Sequence, residues 1–462
     1  MLFRQIINED LGCASYLIAC SGQAAIVDPQ LDIQPYLDLA AEHGLTITDV
    51  LETHNHADHV SGHGRLAEAV GVRIHVPAAG EVDYPHEPLV DGDEVHIGNV
   101  VLRVIATPGH RPEHVAFAVI DTVRSPEPWA LLTGDSLLVG DIARPDLAVE
   151  AEEGAVGLHA SIQRLTTELP AHAEVWPGHL GGSLCGSARL SGKPSSTLGF
   201  EQAANPMLGM ADPAELEAAL LEGLKPKPPN FEHIVARNQG PLHAAMPEPR
   251  AMSPYEVLEA QRSGVVILDT RAGAAFDEAH VARSVSVPVA DGGFGTRASW
   301  QLSTDDRIIL IAEDADAAAD ATMRLASVHI DNVVGILDGG MPAWQAAGLP
   351  VTSSRILGVS ELATRLGAGT VAVLDVRDPD EFARGHVPGS TNIPFYDLTG
   401  EVAASVADLG EEVAVICMSG ARATQAVSML QQAGITNALH VDGGGVLDLP
   451  AHGIELRTAA PA

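Results

Sequence analysis

From position 53 to 62 the chain reads Thr53-His54-Asn55-His56-Ala57-Asp58-His59-Val60-Ser61-Gly62, four metal-capable side chains within six positions. Imidazole and carboxylate at that density cannot all be buried without partners, and a divalent transition metal satisfies them together. Three further metal-capable residues each stand after a short apolar run and a Gly, in Pro108-Gly109-His110, Gly134-Asp135-Ser136 and Pro177-Gly178-His179. A solvated His-rich turn would account for the first cluster but not for single ligands placed repeatedly at strand ends. A second chemistry stands near the other end, where Val413-Ala414-Val415-Ile416 runs into Cys417-Met418-Ser419-Gly420-Ala421-Arg422. A thiol at a strand-to-helix turn faces backbone N–H groups and the positive end of a helix dipole, both of which favour a thiolate, and Arg422 adds a fixed positive charge. The plain alternative is a buried structural cysteine.

The elements that must hold these residues follow from periodicity. The apolar run Val50-Leu51 ahead of the His cluster and the Gly-punctuated helical period after it predict a strand-to-helix loop. Before it, residues 11–28 read as a hairpin carrying Cys13 and Cys20, and 33–44 as a helix closed by His43-Gly44. After it come a helix from Arg65 to Val70 and strands at Val72–Val76, Val100–Ile105, Trp129–Thr133 and Ala173–Trp176. From Pro206 to Pro249 prolines accumulate around a short helix at Ala214–Leu224, which reads as a linker and brace. A repeat follows. Asp269, Arg271, Phe276 and His280 recur as Asp375, Arg377, Phe382 and His386, each 106 positions on (375 against 269). Each copy opens with a helix signal, Ser253-Pro254-Tyr255-Glu256 being a capping box, and continues into a buried strand. Strands alternating with helices predict a small doubly wound parallel α/β domain for each copy.

With 462 residues, 46% of them hydrophobic, and mean hydropathy +0.13, about three domains are expected. A formal net charge of −35, with Lys only at 193, 225 and 227, excludes nucleic acid as a partner, since phosphate neutralisation needs basic clusters. No apolar run of membrane-spanning length and no signal-peptide core is present, so a cytoplasmic protein without a membrane partner is expected. Cys13, Cys20, Cys185 and Cys417 are too few for a disulfide framework and are expected as free thiols, Cys13 and Cys20 as small buried hydrophobes.

The set His54, His56, Asp58, His59, His110, Asp135 and His179 resembles the metallo-β-lactamase fold, an αββα sandwich binding one or two metals at its strand ends. The Leu2-Phe3-Arg4-Gln5 opening, Gly140 to Asp146, Gly182 to Gly186 and Lys193 to Glu201 are similar to the persulfide dioxygenases in their bacterial fusions with rhodanese domains. That resemblance implies an α/β multidomain chain: a dioxygenase domain over 1–235, a linker over 236–250, an inactive rhodanese-like domain over 251–354 and an active one over 355–462. It implies one Fe(II) per chain on His54, His110 and Asp135, a facial triad with open positions for O2 and a sulfur substrate. His56, Asp58, His59 and His179 would support the site from outside or hold a second metal, and the spacing leaves both open. Arg144 is either an anion contact for the thiol carrier or an ion-pair partner of Asp146. Cys185 is either a persulfide carrier or an inert thiol. The family's usual Thr after the Pro-Gly-His turn is Arg111 here, which alters the mouth of the site.

The copies at 251–354 and 355–462 resemble rhodanese modules, and four residues between Cys417 and Arg422 fit the sulfur-transferring loop rather than the longer phosphatase loop. In the first copy Ala312 stands where the nucleophile would be, beside Glu313 and Asp314, so that copy is expected to be a scaffold. Its Trp344 has no aromatic counterpart near Asp448-Leu449. The implied partners are a low-molecular-weight thiol persulfide, O2, sulfite and thiosulfate, and the implied assembly is a homo-oligomer, dimer or tetramer. A zinc-dependent thioester hydrolase of the glyoxalase II type shares the same metal set, and a non-catalytic sulfur-carrier scaffold is a third reading.

Overall fold

The computed structural model describes residues 1–187, 189–222 and 224–458, and it divides into two compact units. The first comprises 1–246 with 326–329, and the second 247–325 with 330–462.

The first unit is built on two six-stranded sheets. One sheet runs in chain order through β1 (Leu2–Asn8), β2 (Cys13–Cys20), β3 (Gln23–Val27), β4 (Thr46–Leu51), β5 (Arg73–Pro77) and β6 (Glu87–Leu89). The other is ordered β12-β11-β10-β9-β8-β7, from β7 (Glu94–Ile97), β8 (Val100–Ala106), β9 (Val115–Asp121), β10 (Ala130–Gly134), β11 (Glu174–Pro177) and β12 (Ser196–Thr197). Alternation along the strands sends one set of apolar residues between the sheets: Tyr16, Ile18, Val27 and Leu51 meet Leu102, Val104, Phe117, Val119 and Leu132. The opposite set faces helices. Leu17, Ile26 and Val50 pack on Tyr36 and Ala40 of helix Gln34–His43, while Ala118, Leu131 and Val175 pack on Leu158, Ile162 and Leu165 of helix Ala151–Glu168. The result is the expected αββα sandwich, and the C-terminal ends of β4, β8, β10 and β11 converge on one rim.

In the second unit each repeat forms a five-stranded sheet, parallel throughout. In the first repeat β13 (Arg250–Met252), β14 (Val266–Asp269), β16 (Val285–Ser286), β17 (Ile308–Ile311) and β18 (Val333–Leu337) take the order β13-β18-β17-β14-β16. A small antiparallel pair, β15 (His280–Val281) with β19 (Val351–Thr352), stands apart. In the second repeat β20 (Arg355–Gly358), β21 (Ala372–Asp375), β22 (Thr391–Asn392), β23 (Val413–Ile416) and β24 (Ala438–Asp442) repeat that order as β20-β24-β23-β21-β22.

The recurring residues turn out to be scaffold. Arg271 and Arg377 each grip the Asp two positions back with a bidentate pair and donate to a main-chain carbonyl, of Ala279 and Gly385, at 2.8 Å. His280 and His386 each stack on the Phe four positions back, at 3.8 and 3.9 Å between rings, and donate Nδ1–H to its carbonyl. Both devices pin the crossover after the second strand of each sheet, β14 and β21.

Two expectations change. The segment beginning at 236 is not linker at first, because helix Phe231–Gln239 continues through it and buries Asn238. The 18-residue helix Ala151–Glu168, which covers the second sheet, was not read from periodicity. Among the described residues no helix is long and apolar enough to cross a membrane.

Candidate functional site

The loop between β4 and helix His63–Val70 carries the His cluster, buried along its whole length. It is held from below by Asp28, whose carboxylate accepts from the Thr53 N–H at 2.7 Å and from Thr53 Oγ1 at 3.0 Å. The Thr53 hydroxyl, having spent its one proton on Asp28, can only accept from His54 Nδ1, 2.8 Å away. His54 therefore carries its proton on Nδ1 and presents a bare Nε2. His110 reaches the same state by another route, donating Nδ1–H to the Arg144 carbonyl at 2.9 Å. Asp135 follows Gly134, whose backbone has φ of +47°; a Cβ there would lie 2.7 Å from His114 Nε2 and 2.8 Å from Thr53 Oγ1, so only Gly lets the strand end this close.

Nε2 of His54, Nε2 of His110 and Oδ2 of Asp135 thus face one another, with Asp135 Oδ2 at 4.0 Å from the first and 3.4 Å from the second. Ligand atoms of the three residues lie within 4.8 Å of one another, all buried, and Asp135 Oδ2 has no hydrogen-bond partner. Burial first, then the neighbouring imidazoles and Arg111, holds His54 well below the usual histidine range, and burial also lowers His110. Two neutral imidazoles with lone pairs aimed at an orphaned carboxylate oxygen fit a divalent metal.

The remaining members of the cluster face carboxylates on at least one side, and with Cys13, Asp28, Glu52 and Cys185 they form three further groups that could hold a metal. His56 Nε2 lies 3.2 Å from Asp28 and 3.3 Å from Glu52, while its Nδ1 is buried with no hydrogen-bond partner. Burial opposes its charge, but those two carboxylates hold the imidazole well above its usual range. His179 is clamped between carboxylates, Nδ1 at 2.7 Å from Asp135 Oδ1 and Nε2 at 2.7 Å from Asp58 Oδ2. Burial again works against the charge and Asp135 and Asp58 outweigh it, so the ring is held well above the ordinary range and both nitrogens donate. His59 Nδ1 lies 3.2 Å from Asp58 Oδ1.

Arg144, expected to meet either an anionic carrier or Asp146, is buried and does the second, with Nε and Nη2 on the Asp146 carboxylate at 2.7 and 2.9 Å and Nη1 near the Leu184 and Lys225 carbonyls. Its contribution to the site is its main-chain oxygen on His110. Cys185 does come within reach of Asp58 and His179, as the loop length suggested, but burial pushes its thiol up to about 12. Cys13, expected as filler, is buried yet lies against Asp58 and His59.

Two residues the sequence reading passed over complete the frame. His114 Nε2 accepts the Asp135 N–H at 2.9 Å while Thr107 Oγ1 engages its Nδ1, and burial lowers its pKa to about 3. Asn238 donates to the carbonyls of His56 and His59 at 2.9 Å each and accepts from the Ser61 N–H. The only available hint of either was a polar residue in an otherwise buried pattern. A cleft of about 570 Å³ opens beside the loop, lined by Ala57, Arg111, Leu147, Lys227, Pro228, Phe231 and Gln239. Arg111 stands in its wall, held by Glu113 at 2.7 Å.

In the second unit Cys417 is buried at the end of β23, with the Gly420 N–H aimed at its Sγ from 3.1 Å. Gly445 must lack a side chain, since a Cβ would lie 1.9 Å from the Met418 carbonyl oxygen, and Val446 N–H holds the Cys417 carbonyl at 3.0 Å. Arg422, in the first turn of helix Ala421–Gln432, forms a two-pronged pair with Glu381; burial opposes its charge, but Glu381 raises its pKa further. The sequence reading did not single out Glu381.

Comparison with known proteins agrees with this architecture. Residues 8–179 match the metallo-beta-lactamase superfamily, and residues 253–347 and 358–446 match the rhodanese-like domain. The chain belongs to the metallo-β-lactamase superfamily, extended by two rhodanese-like domains. More particularly, it is 32% identical to a metallo-beta-lactamase from Staphylococcus aureus of known crystal structure, covering 73% of this chain and 98% of that one with a TM-score of 0.65. The crystal structure of ETHE1 from Myxococcus xanthus is 28% identical over 52% of this chain, with a TM-score of 0.45, too low a superposition to argue from. Among curated proteins, the hydroxyacylglutathione hydrolases of Methylobacillus flagellatus and Rhodospirillum rubrum are 31% and 35% identical over 167 and 169 residues, 36% of this chain. The chain spans 60% of the length of each.

Proposed function

We propose that the first unit is a non-haem iron persulfide dioxygenase, turning a low-molecular-weight thiol persulfide, O2 and water into sulfite and free thiol, and that the second is a thiosulfate sulfurtransferase. The observation that carries the first half is the face made by His54, His110 and Asp135, whose donor atoms lie within 4.8 Å of one another with Asp135 Oδ2 unpartnered, while both nitrogens of His179 are held by carboxylates. Iron(II) held by those three would supply adjacent open positions for O2 and a persulfide sulfur. The chain's own part is to keep both imidazoles neutral and aimed, through Thr53 and the Arg144 carbonyl, and to bury the carboxylate away from water. The cleft wall carries Arg111, paired with Glu113, Lys227, held by Asp146, and Glu232.

In the second unit Cys417 attacks the outer sulfur of thiosulfate, releasing sulfite and keeping the sulfur as a persulfide, which a thiol or cyanide then removes. Run backwards with sulfite from the first unit, the same exchange makes thiosulfate. The Gly420 N–H and Arg422 stabilise the anionic sulfur on Cys417.

The curated relatives favour a second reading, a zinc-dependent thioester hydrolase of the glyoxalase II type with sulfur-carrier domains attached. One experiment separates them: iron-loaded and zinc-loaded protein are each given glutathione persulfide under an oxygen electrode and a glutathione thioester in a hydrolysis assay. Oxygen uptake with iron supports the dioxygenase. Thioester turnover with zinc, without oxygen uptake in either form, overturns it.

A further inference from the structure

Helix Ala421–Gln432 opens with the sulfur-transfer loop, and the rest of it lies against the silent repeat. Its polar residues at 425, 428 and 431 make a stripe that meets the silent copy: Gln425 donates to the Arg297 carbonyl at 2.9 Å, Ser428 Oγ accepts the Ser286 N–H at 3.0 Å, and Gln431 Oε1 lies 3.0 Å from His280 Nε2. Thr424, one residue nearer the loop than Gln425, faces Gly273 of the silent copy so closely that a Cβ there would sit 2.7 Å from its hydroxyl.

One contact goes further. Asp277 of the silent copy is 1% exposed, its Oδ2 takes His440 Nδ1–H at 2.6 Å, and its Oδ1 has no hydrogen-bond partner. A buried carboxylate with one oxygen unpartnered is a costly way to join two domains, which apolar packing would do better. The other nitrogen of His440 shows its use: Nε2 stands 3.1 Å from Thr424 Oγ1 and 3.3 Å from the Gly420 carbonyl. Gly420, with φ of +105°, is the corner of the loop whose N–H points at Cys417 Sγ.

We propose that the silent repeat supplies a positioning residue to the active one: Asp277, acting through His440 and Thr424, holds the Gly420 corner in the conformation that aims its N–H at the Cys417 sulfur. The silent copy is then part of the sulfurtransferase, and it persists without a nucleophile because the loop of its neighbour is set from its side. This rests on the sulfurtransferase reading only for its kinetic consequence, since the state of the loop is measurable without turnover.

The test uses the full chain and four variants, Asp277→Ala, Asp277→Asn, His440→Ala and Gly273→Ala, with Cys417→Ser as the blank. Two quantities are read: the rate of Cys417 alkylation by iodoacetamide across pH, and kcat and KM for thiosulfate with cyanide as acceptor. Asp277→Ala and His440→Ala should lower kcat about tenfold or more with KM for thiosulfate little changed, and displace the alkylation profile upward, because a loop misplaced by a fraction of an ångström loses much of its aim. Asp277→Asn keeps an acceptor for Nδ1–H and should retain most of the parental rate. Gly273→Ala, which removes nothing and only presses on Thr424, should fall between. An unchanged alkylation profile and kcat in Asp277→Ala overturns the proposal, as does an equal loss in Asp277→Asn. A parent chain without sulfurtransferase activity whose Cys417 alkylation still responds to Asp277→Ala would overturn the functional reading and leave the positioning role standing.

Discussion

The two repeats of the second unit share strand order, the Asp–Arg and Phe–His pins and the crossover geometry, and they part where sulfur would be handled. After β17 the silent copy has Ala312, then Glu313 and Asp314, whose carboxylate caps the following helix at the Ala317 N–H. After β23 the active copy has Cys417 with an N–H aimed at it and no acid in the loop. The Arg422–Glu381 pair has lost both partners in the silent copy, where Ala317 and Ala275 stand at the matching positions. The framework therefore stands with or without a thiol in the loop, because the pins lie outside it. The copies differ in the opposite sense at their ends: helix Gly340–Ala346 buries Trp344 in the silent core, whereas the active copy closes with Val446 and Leu449 in a short 3-10 helix.

The sharpest way to break this contrast is at the nucleophile. Cys417→Ser should lower thiocyanate formation from thiosulfate by at least about a thousandfold while leaving oxygen uptake near the parental rate. Adding Ala312→Cys to that variant should restore nothing, because neither the arginine nor its glutamate is there to receive it; appreciable recovery would mean the silent loop was only one residue from activity. Next, Asp135→Ala should remove iron and oxygen uptake with transferase activity intact, and His114→Ala or Asn238→Ala should weaken iron binding by about 10–100-fold, read by metal analysis after dialysis. Within the active loop, Glu381→Gln should cost about tenfold in kcat/KM for thiosulfate by freeing Arg422, and it should leave the silent copy's stability untouched. Trp344→Ala should destabilise the second unit by about 3–5 kcal/mol in denaturant unfolding, a loss with no counterpart available in the active copy. The smallest effect concerns Cys185: with its pKa pushed up to about 12 by burial, metal-free protein at pH 8 should show Cys185 unlabelled under conditions that alkylate Cys417. Peptide mass mapping checks this, and rapid labelling of Cys185 would return it to the list of sulfur carriers.

Much of this was open to reading in the chain itself. Ligands gathered within six positions, or each placed after a strand and a Gly, are local patterns, and so is a cysteine between a buried strand and a helix. The strands delivering Asp135, His179 and Cys417 were therefore foreseen within a residue or two, and the one delivering His54 was foreseen only by its Val50-Leu51 end. Helix Ala151–Glu168 escaped because its buried face includes Gly154, Ala155 and Ser161, small residues that weaken the apolar period. Asn238 escaped because the prolines around it spoke for a linker, and its partners lie some 180 positions away.

The sequence alone determined the inventory: which residues could bind a metal, that one repeat keeps a nucleophile and the other does not, and that both share one framework. Tertiary structure decided the use of that inventory. The protons of His54 and His110 are placed by Thr53 and by the Arg144 carbonyl, both nitrogens of His179 are held by carboxylates, Arg144 is turned inward, and Asp277 is carried to His440 from a different repeat. The reason is that residue type and spacing record only what a side chain is able to do within its own strand or loop. Which hydrogen bond it makes depends on groups tens to hundreds of positions away, brought together only when the sheets and helices pack, and no local pattern encodes that meeting.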